Sequence, residues 1–453
     1  MTGYSNKSSF VRLYYPCVET GTIMSSLKHG GKRHTPLPKG PYTVGCIDIM
    51  TGYSNRSSFI RLYYPCVEIG TIEHKDQWPR WADDEYLDGY AEYPPLPKFI
   101  SKKFIHLLCS KIYIPAILDG KPLTKEKPFP VIVFSHGLYA CRTTYSAIHV
   151  ELASQGYIVA SVEHRDQSAC YSFYMKKSRM SKYGPYPGSD ISEVDEEVLD
   201  TEIECEDSEK YQNAPIEKRR HGSEMTSKQH VLFHSVRKPI SRRHADLRNK
   251  QMCQRAEECI RALDVLEDIN NGITVKNVLQ SKCSLENFHG LLDMSKVCMA
   301  GHSFGGATTL KVLSMEKRFR TGITLDAWTV PLIKETELAS LITQPILFIN
   351  SSYFYTRRTL EELHQFDSNE TERIFATLKK TIHNNQCDLP FVIPRLFLLL
   401  SGEILRGNSF THLKLINRLI MTFLSKHLDL NFNASFNDYI KSKSSHIKEN
   451  VVF

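Results

Sequence analysis

Ser303 lies in the segment Gly301-His302-Ser303-Phe304-Gly305, with a glycine two residues away on either side. A serine hydroxyl is a weak nucleophile in water and attacks an ester carbonyl only beside a histidine base and an orienting carboxylate. Flanking glycines let a serine occupy a sharp strand-to-helix turn without a clashing Cβ atom. We therefore predict that Ser303 is the nucleophile of a hydrolytic reaction.

Two later residues complete a candidate catalytic triad in the chain order serine, acid, histidine, which is usual for a serine on such a turn. Asp326 directly follows the apolar run 321–325, where a surface aspartate would be unusual. His383 follows the strand-like segment 373–378 after a short loop. Catalytic side chains are commonly carried by loops on a rigid scaffold, so we predict Asp326 as the acid and His383 as the base.

Other acids and histidines are weaker alternatives for these two roles. Asp367 lies in a polar segment, and Asp388 comes after the candidate histidine. His364, His412 and His427 fall in segments with helical patterning rather than in loops after strands.

A tetrahedral intermediate also needs donors for its oxyanion. One donor is commonly the backbone N–H after the nucleophile, here that of Phe304. The second comes from a loop after an earlier strand, and His136-Gly137-Leu138 has the composition of such a loop, which makes Leu138 the candidate. A plain turn at this position is the alternative.

The elements around these residues alternate between strands and helices. The predicted strands are 129–135, 157–162, 297–300, 322–325, 345–350 and 373–378, and the predicted helices are 145–155, 253–269, 305–314 and 410–427. Strand–helix–strand succession is typical of a parallel sheet. We predict the α/β-hydrolase fold, a mostly parallel central sheet flanked by helices, as a single domain over residues 39–430.

Residues 2–23 and 51–72 are near copies of each other. The second copy alternates as a β-strand over Ser58–Pro65, and two copies are too few for a solenoid. We interpret the first copy as an exon duplication or a gene-model error, and expect residues 1–38 to be dispensable.

Two further segments lack the alternating pattern. The first is the stretch at about 170–242. Its part from Ser189 to Glu209 contains eleven Asp or Glu residues and no Lys or Arg, and basic clusters follow this acidic part. We expect a loose surface excursion here, with a lid as the alternative. The polar tail at 431–453 is expected to fray.

Composition excludes several classes of function. The net charge of +7 comes from 57 basic and 50 acidic residues without a basic stripe, so nucleic acid is not an expected partner. The twelve cysteines form no CxxC pair or zinc-type cluster, and we expect no metal and no cofactor. The first residues lack a secretory signal pattern, so we expect a cytoplasmic location, with secretion left open.

Residues 96–108 read as a basic amphipathic helix, with Phe99, Ile100, Phe104, Ile105 and Leu108 near helical spacing and lysines opposite. Such a helix can lie in a membrane interface or can cover the core of the protein. The pattern alone leaves both interpretations open, and any membrane contact would be peripheral.

Several long motifs, in order, resemble the platelet-activating factor acetylhydrolases of the plasma and intracellular type II group. The similar segments are VGCIDIM at 44–50, SSFIRLYYPC at 57–66, FSHGLYACRTTYSA at 134–147, ELASQGYIVASVEHRDQSA at 151–169, DMSKVCMAGHSFGGAT at 293–308, LDAWTVPL at 325–332 and the segment of His383. The duplicated segment and the acidic excursion are departures from this family.

The resemblance implies a calcium-independent esterase that removes the sn-2 acetyl or short acyl group of platelet-activating factor and oxidised phospholipids, giving lysophospholipid and acetate. The rival interpretation is a general short-chain carboxylesterase or lipase. The resemblance assigns one set of site residues: Ser303, Asp326 and His383 as the triad, Leu138 and Phe304 as oxyanion donors, and Trp328 as a residue lining the acyl pocket. It also implies that the region from Lys98 to Ile114 contacts lipid surfaces, so peripheral contact with a membrane or lipid surface is expected.

Overall fold

The computed structural model describes residues 28–29, 31–68, 70–92, 97–178, 218–221, 224–234, 242–394, 407–431 and 433–448. The strands of this part are Lys28–His29 (β1), Lys32–His34 (β2), Val44–Met50 (β3), Phe59–Pro65 (β4), Ile112–Tyr113 (β5), Ile117–Leu118 (β6), Phe129–Ser135 (β7), Ile158–Val162 (β8), Tyr171–Ser178 (β9), Lys218–His221 (β10), Glu224–Leu232 (β11), Leu292–His302 (β12), Thr321–Leu325 (β13), Ile346–Ser351 (β14) and Arg373–Leu378 (β15). The α-helices are Asp84–Tyr90 (α1), Lys98–Cys109 (α2), Ser146–Ser154 (α3), Arg242–Asn270 (α4), Phe304–Met315 (α5), Leu338–Leu341 (α6), Arg357–His364 (α7), Leu389–Val392 (α8), Ser409–His427 (α9) and Ala434–Ser442 (α10).

Nine strands form the central sheet in the order β15-β14-β13-β12-β7-β8-β4-β3-β6. All neighbours from β15 to β8 pair in parallel, whereas β4 pairs antiparallel with both β8 and β3. The parallel strands are buried along most of their length, so both faces of the sheet must be covered. Helices α4 and α5 cover one face, and α3 and α9 cover the other. The predicted α/β-hydrolase fold is confirmed.

The second copy of the repeated segment forms strand β4, an interior strand buried along its whole length. The strand predicted there is confirmed, and the first copy lies outside the described residues. We expected residues 1–38 to be dispensable, but residues 33–35 contact the folded part of the chain. Arg33 donates to the carbonyl of Leu108, His34 is buried, and the N–H of Thr35 donates to the carbonyl of Tyr113.

The excursion at 170–242 contains ordered strands, so the expectation of a loose loop is wrong for its described part. Strand β9 pairs antiparallel with β11, which pairs with β10. Residues 171–173 at the start of β9 are buried, Tyr174 and Met175 are half-buried, and Lys176 and Lys177 are exposed. Burial therefore decreases along the strand instead of alternating with period two. The acidic stretch at 189–209 lies outside the described residues.

The tail beyond Asn431 was expected to fray, yet helix α10 packs against α9. Phe436 and Ile440, one helical turn apart, are both buried. The guanidinium of Arg418 lies 4.2 Å from the ring centre of Phe436. Two apolar residues at this spacing suffice to dock an otherwise polar helix.

Helix α2 begins at Lys98 and ends at Cys109, close to the prediction, but its apolar residues do not all face the core. Ile105 is buried, whereas Phe99 and Leu107 are 74% and 77% exposed. Across the described residues, the structure contains no helix that is both long enough and apolar enough to cross a bilayer.

Candidate active site

Ser303 occupies the junction between β12, which ends at His302, and α5, which begins at Phe304. Its φ of 57° places a non-glycine residue in the left-handed region, which costs about 1 kcal/mol or more unless neighbouring contacts hold it. Two backbone bonds do so: Ser303 N–H donates to Leu325 O at 2.8 Å, and Trp328 N–H donates to Ser303 O at 2.9 Å. The predicted strand–turn–helix elbow is therefore present.

The two flanking glycines are required by close backbone approaches. A Cβ atom on Gly305 would lie 1.9 Å from the carbonyl oxygen of Ser135, and one on Gly301 would lie 2.2 Å from that of Gly305. Real Cβ atoms do not approach so closely. The turn therefore accepts only glycine at these positions unless the backbone moves.

Asp326 and His383 are brought together at the carboxyl edge of the sheet. Asp326 follows β13 and is fully buried, and His383 starts a short 3₁₀ helix, His383–Gln386, after β15. The Nδ1 atom of His383 donates to Oδ2 of Asp326 at 3.1 Å. Because Nδ1 then carries the ring hydrogen, Nε2 is left as the proton acceptor.

Ser351 at the end of β14 fixes the Asp326 carboxylate. Its N–H donates to Oδ1 at 2.6 Å, and its hydroxyl donates to Oδ2 at 2.5 Å. Sequence reasoning missed Ser351. The polar pair Ser351-Ser352 after an apolar strand was the available signal, since this sheet edge collects catalytic groups.

Tyr145 links the elbow to the loop after β7. Its hydroxyl accepts from the N–H of Gly137 at 3.0 Å and lies 2.8 Å from Nδ1 of His302. The imidazole of His302 in turn lies beside that of His383, with ring centres 4.3 Å apart. Burial, and to a lesser degree the neighbouring His383, lowers the pKa of His302 well below its ordinary value, so this ring is neutral.

The backbone N–H groups of Leu138 and Phe304 occupy the two positions predicted for oxyanion donors. Neither donates to a protein acceptor among the described residues. The loop of Leu138 approaches Ser303 closely, because a Cβ atom on Gly137 would lie 3.2 Å from the Ser303 Cβ. This proximity is compatible with the predicted role of both N–H groups as oxyanion donors.

A buried polar network behind this loop was not foreseen. Arg255 of α4 donates to the carbonyl of His136 at 2.5 Å and to Asp166 at 3.0 Å. His164 contacts Glu258 through Nδ1 at 2.6 Å, and burial raises the pKa of Glu258. These partners come from distant parts of the chain, so spacing alone could not reveal them.

Trp328 lies beside the elbow, two residues after Asp326 in the chain. Its ring meets that of Phe304 edge to face, with centres 5.5 Å apart, and it also lies 6.2 Å from the ring of His244. This half-buried position beside Ser303 is compatible with the lining role that we expected.

The rejected alternatives lie elsewhere. Asp388 binds the start of α3, accepting from Ser146 and Ala147. His427 contacts Glu372, and His364 packs on the ring of Phe375. The two remaining alternatives, Asp367 and His412, make no recorded contact with the triad among the described residues.

One group of three side chains in the described part of the chain could offer metal ligands, namely His302, Asp326 and His383, with donor atoms within 4.8 Å of one another. The Nδ1 atoms of both imidazoles already have protein partners, Tyr145 for His302 and Asp326 for His383. Asp326 is also occupied by Ser351. We therefore assign no metal to this group.

The sheet topology and the elbow define an α/β-hydrolase. Comparison with known proteins narrows this class, because residues 27–450 match the family model described as platelet-activating factor acetylhydrolase, isoform II. The chain belongs to the platelet-activating factor acetylhydrolase family.

The alignments with related proteins cover most of the chain. The platelet-activating factor acetylhydrolase of Cavia porcellus is 36% identical over 417 residues, covering 91% of this chain and 82% of that protein. The enzyme of the same name from Gallus gallus is 35% identical over 398 residues, covering 87% and 84%. Among solved structures, a ferulic acid esterase from Streptomyces cinnamoneus aligns over 89% of this chain and 95% of its own, with a TM-score of 0.49 and 16% identity.

Proposed function

We propose that this chain is a serine esterase that removes the sn-2 acetyl or short acyl group of platelet-activating factor and oxidised phospholipids. The hydrogen bond between Asp326 and His383 at the same sheet edge as the Ser303 elbow is the observation that carries the chemistry. The substrate class rests on the names of the relatives. The products are lysophospholipid and acetate, or the corresponding short acid.

In the acylation half of the proposed reaction, the Ser303 oxygen attacks the ester carbonyl carbon while its proton passes to Nε2 of His383. The backbone N–H groups of Leu138 and Phe304 donate to the resulting oxyanion. Collapse of this intermediate breaks the bond to the glycerol oxygen, which takes the proton from His383 and leaves as lysophospholipid.

In the deacylation half, water attacks the acyl-serine ester and gives its proton to His383. Collapse releases the acid, and the proton returns to Ser303. Asp326 keeps its hydrogen bond to Nδ1 of His383 throughout and stabilises the imidazolium that forms twice per turnover. No step uses a calcium ion, so a chelator should leave the rate unchanged, and a strong loss of activity in chelator would contradict this scheme.

Trp328 is proposed to limit the acyl pocket, because its ring lies against Phe304 directly after the nucleophile. A bulky indole at this place would favour short acyl groups. The rival function is a general short-chain carboxylesterase or lipase.

A chain-length series separates the two functions. Phosphatidylcholines with sn-2 acyl groups from acetyl to long-chain, and a small aryl acetate, are offered to the purified protein. The proposal expects rapid hydrolysis of the acetyl phospholipid and a steep fall in kcat/KM with acyl length. Hydrolysis of the aryl acetate without hydrolysis of the acetyl phospholipid would favour the rival.

Peripheral lipid contact is proposed for the outward face of α2. Phe99, Ile100 and Leu107 are exposed there beside Lys102 and Lys103, which is the arrangement of an interfacial helix. We expect the pair Phe99→Ser and Leu107→Ser to weaken sedimentation with anionic phospholipid vesicles while hydrolysis of a water-soluble aryl ester is retained.

Ile273→Ser is the matched control, because Ile273 is also exposed but lies on a turn after α4. Equal sedimentation of the α2 variant, the control and the unaltered chain would count against membrane contact through α2.

A further inference from the structure

The imidazole of His383 lies between two aromatic rings. Phe354 stacks on it almost in parallel, with ring centres 3.9 Å apart and planes at 9°. His302 lies 4.3 Å away at 33°. The described ring contacts include no pair between Phe354 and His302, so these two rings occupy opposite faces of the imidazole.

The two neighbours are held in different ways. His302 is buried and tied through Tyr145 to the loop of Gly137, so its position is part of the rigid elbow. Phe354 is half-buried on the turn after β14. The edge of Tyr355 packs on Phe354 with ring centres 4.9 Å apart, and the Tyr355 hydroxyl donates to the carbonyl of Ala327.

The same turn therefore serves both partners of the Asp326–His383 pair. Ser351 at its start donates twice to Asp326, and Phe354 three residues later covers His383. A single hydrogen bond from Nδ1 to the carboxylate leaves the imidazole free to pivot about the axis of that bond. A flat ring on each face removes this freedom.

Stacking also has an electrostatic consequence when His383 gains a proton. The face of a phenyl ring attracts a cation whose centre lies within about 6 Å. The other neighbour, His302, is neutral and carries no positive charge to oppose protonation. Phe354 thus favours the imidazolium in the same geometry in which it orients the neutral base.

We propose that Phe354 is a positioning residue of this reaction, which holds the His383 imidazole in the plane required for proton transfer and favours its charged form. The proposal rests on the role of His383 as the base in the proposed function. Phe354 acts through His383 rather than on the ester itself.

The test compares Phe354→Leu with Phe354→Tyr in the full chain, using an acetyl phospholipid and an aryl acetate. We expect Phe354→Leu to lower kcat about tenfold on both substrates, the order of a lost cation–π contact, with KM nearly unchanged. Phe354→Tyr keeps the flat face and should restore kcat. An unchanged kcat in Phe354→Leu, or a loss confined to KM, would overturn the proposal.

Phe375→Leu is the matched control, because Phe375 also stacks on a ring, that of Phe348, and makes no ring contact with the triad among the described residues. It should leave kcat unchanged. If Phe354→Leu lacks a cooperative thermal transition and is therefore not folded, Phe354→Met is used in its place. The same fall in kcat, with KM nearly unchanged, is expected.

A double-mutant cycle separates this proposal from the proposed function. In a His383→Ala background, Phe354→Leu should change the residual rate by less than about twofold, because the group it positions is gone. A further tenfold loss there would refute action through His383. Near-normal activity of His383→Ala alone would instead refute the proposed function.

Discussion

At the scale of single residues, the Asp326 carboxylate depends on Ser351. Asp326 is fully buried, and both of its oxygens accept from this one residue. Ser351→Ala removes the hydroxyl donor, so that Oδ2 of the buried carboxylate keeps only its hydrogen bond with His383. We expect it to lower the free energy of unfolding by about 1–3 kcal/mol and to reduce kcat while KM stays constant.

Urea unfolding and steady-state kinetics measure the two effects. Ser352→Ala is the control, since the Ser352 hydroxyl donates to Thr381 O at 3.4 Å rather than to the acid. Equal effects of the two variants on kcat would contradict the assigned role of Ser351.

Sequence reasoning could place Ser303, Asp326 and His383 because residue type, chain order and strand ends all constrain them. It missed Ser351, for which the pair of serines after an apolar strand was the available signal, and it could not find Tyr145 or the network of Arg255. The partners of Tyr145 are Gly137 and His302, which lie 8 and 157 residues away along the chain. His136, a partner of Arg255, lies 119 residues away. Only the folded sheet brings such partners together.

At the scale of elements, Asp388 joins the loop of His383 to helix α3. Its carboxylate accepts from the N–H groups of Ser146 and Ala147 at the start of α3 and from the indole of Trp81. This residue was a rejected candidate for the catalytic acid, and the structure gives it a helix-capping contact instead.

Burial raises the pKa of Asp388 from 3.8 to about 7, although its hydrogen-bond donors act in the opposite direction. A carboxyl with a raised pKa binds a proton more tightly in the folded state than in the unfolded chain. Its contribution to stability is therefore present at low pH and is lost as pH rises through about 7.

We expect the free energy of unfolding of the unaltered chain, relative to Asp388→Asn, to fall between pH 5 and pH 7 and to level off above that, because the amide cannot titrate. Urea unfolding across this range measures the difference. A difference that stays constant with pH would show that Asp388 does not titrate there.

Elements with strong apolar periodicity, such as β7, β14 and α9, were predicted with nearly the observed bounds. Strand β9, helix α10 and the first part of α4 were missed because they are polar on most positions. Each is held by a few inward residues, such as Phe173 in β9 or Phe436 in α10, whose burial depends on neighbours supplied by tertiary structure.

At the scale of the whole molecule, residues 31–38 belong to the folded body. Arg33, His34 and Thr35 contact the segment from α2 to β5, and the Thr35 hydroxyl accepts from Ser146 of α3. We propose that the functional body of the chain starts near residue 28 rather than at residue 39.

A chain starting at residue 39 should therefore unfold at a lower temperature than one starting at residue 28, since each lost hydrogen bond of this kind contributes about 1 kcal/mol. Thermal unfolding followed by circular dichroism compares the two. Identical midpoints would restore the expectation that residues up to 38 are dispensable.

We propose that Ser303 carries the acyl group of a phospholipid during turnover. Rapid acid quenching of the protein with an acetyl phospholipid, followed by peptide mass spectrometry, tests it most directly. We expect one acetyl group on the peptide that contains Ser303, and none in Ser303→Ala, which should also lose nearly all turnover while remaining folded. An acetyl group on another residue, or substantial turnover by Ser303→Ala, would contradict it.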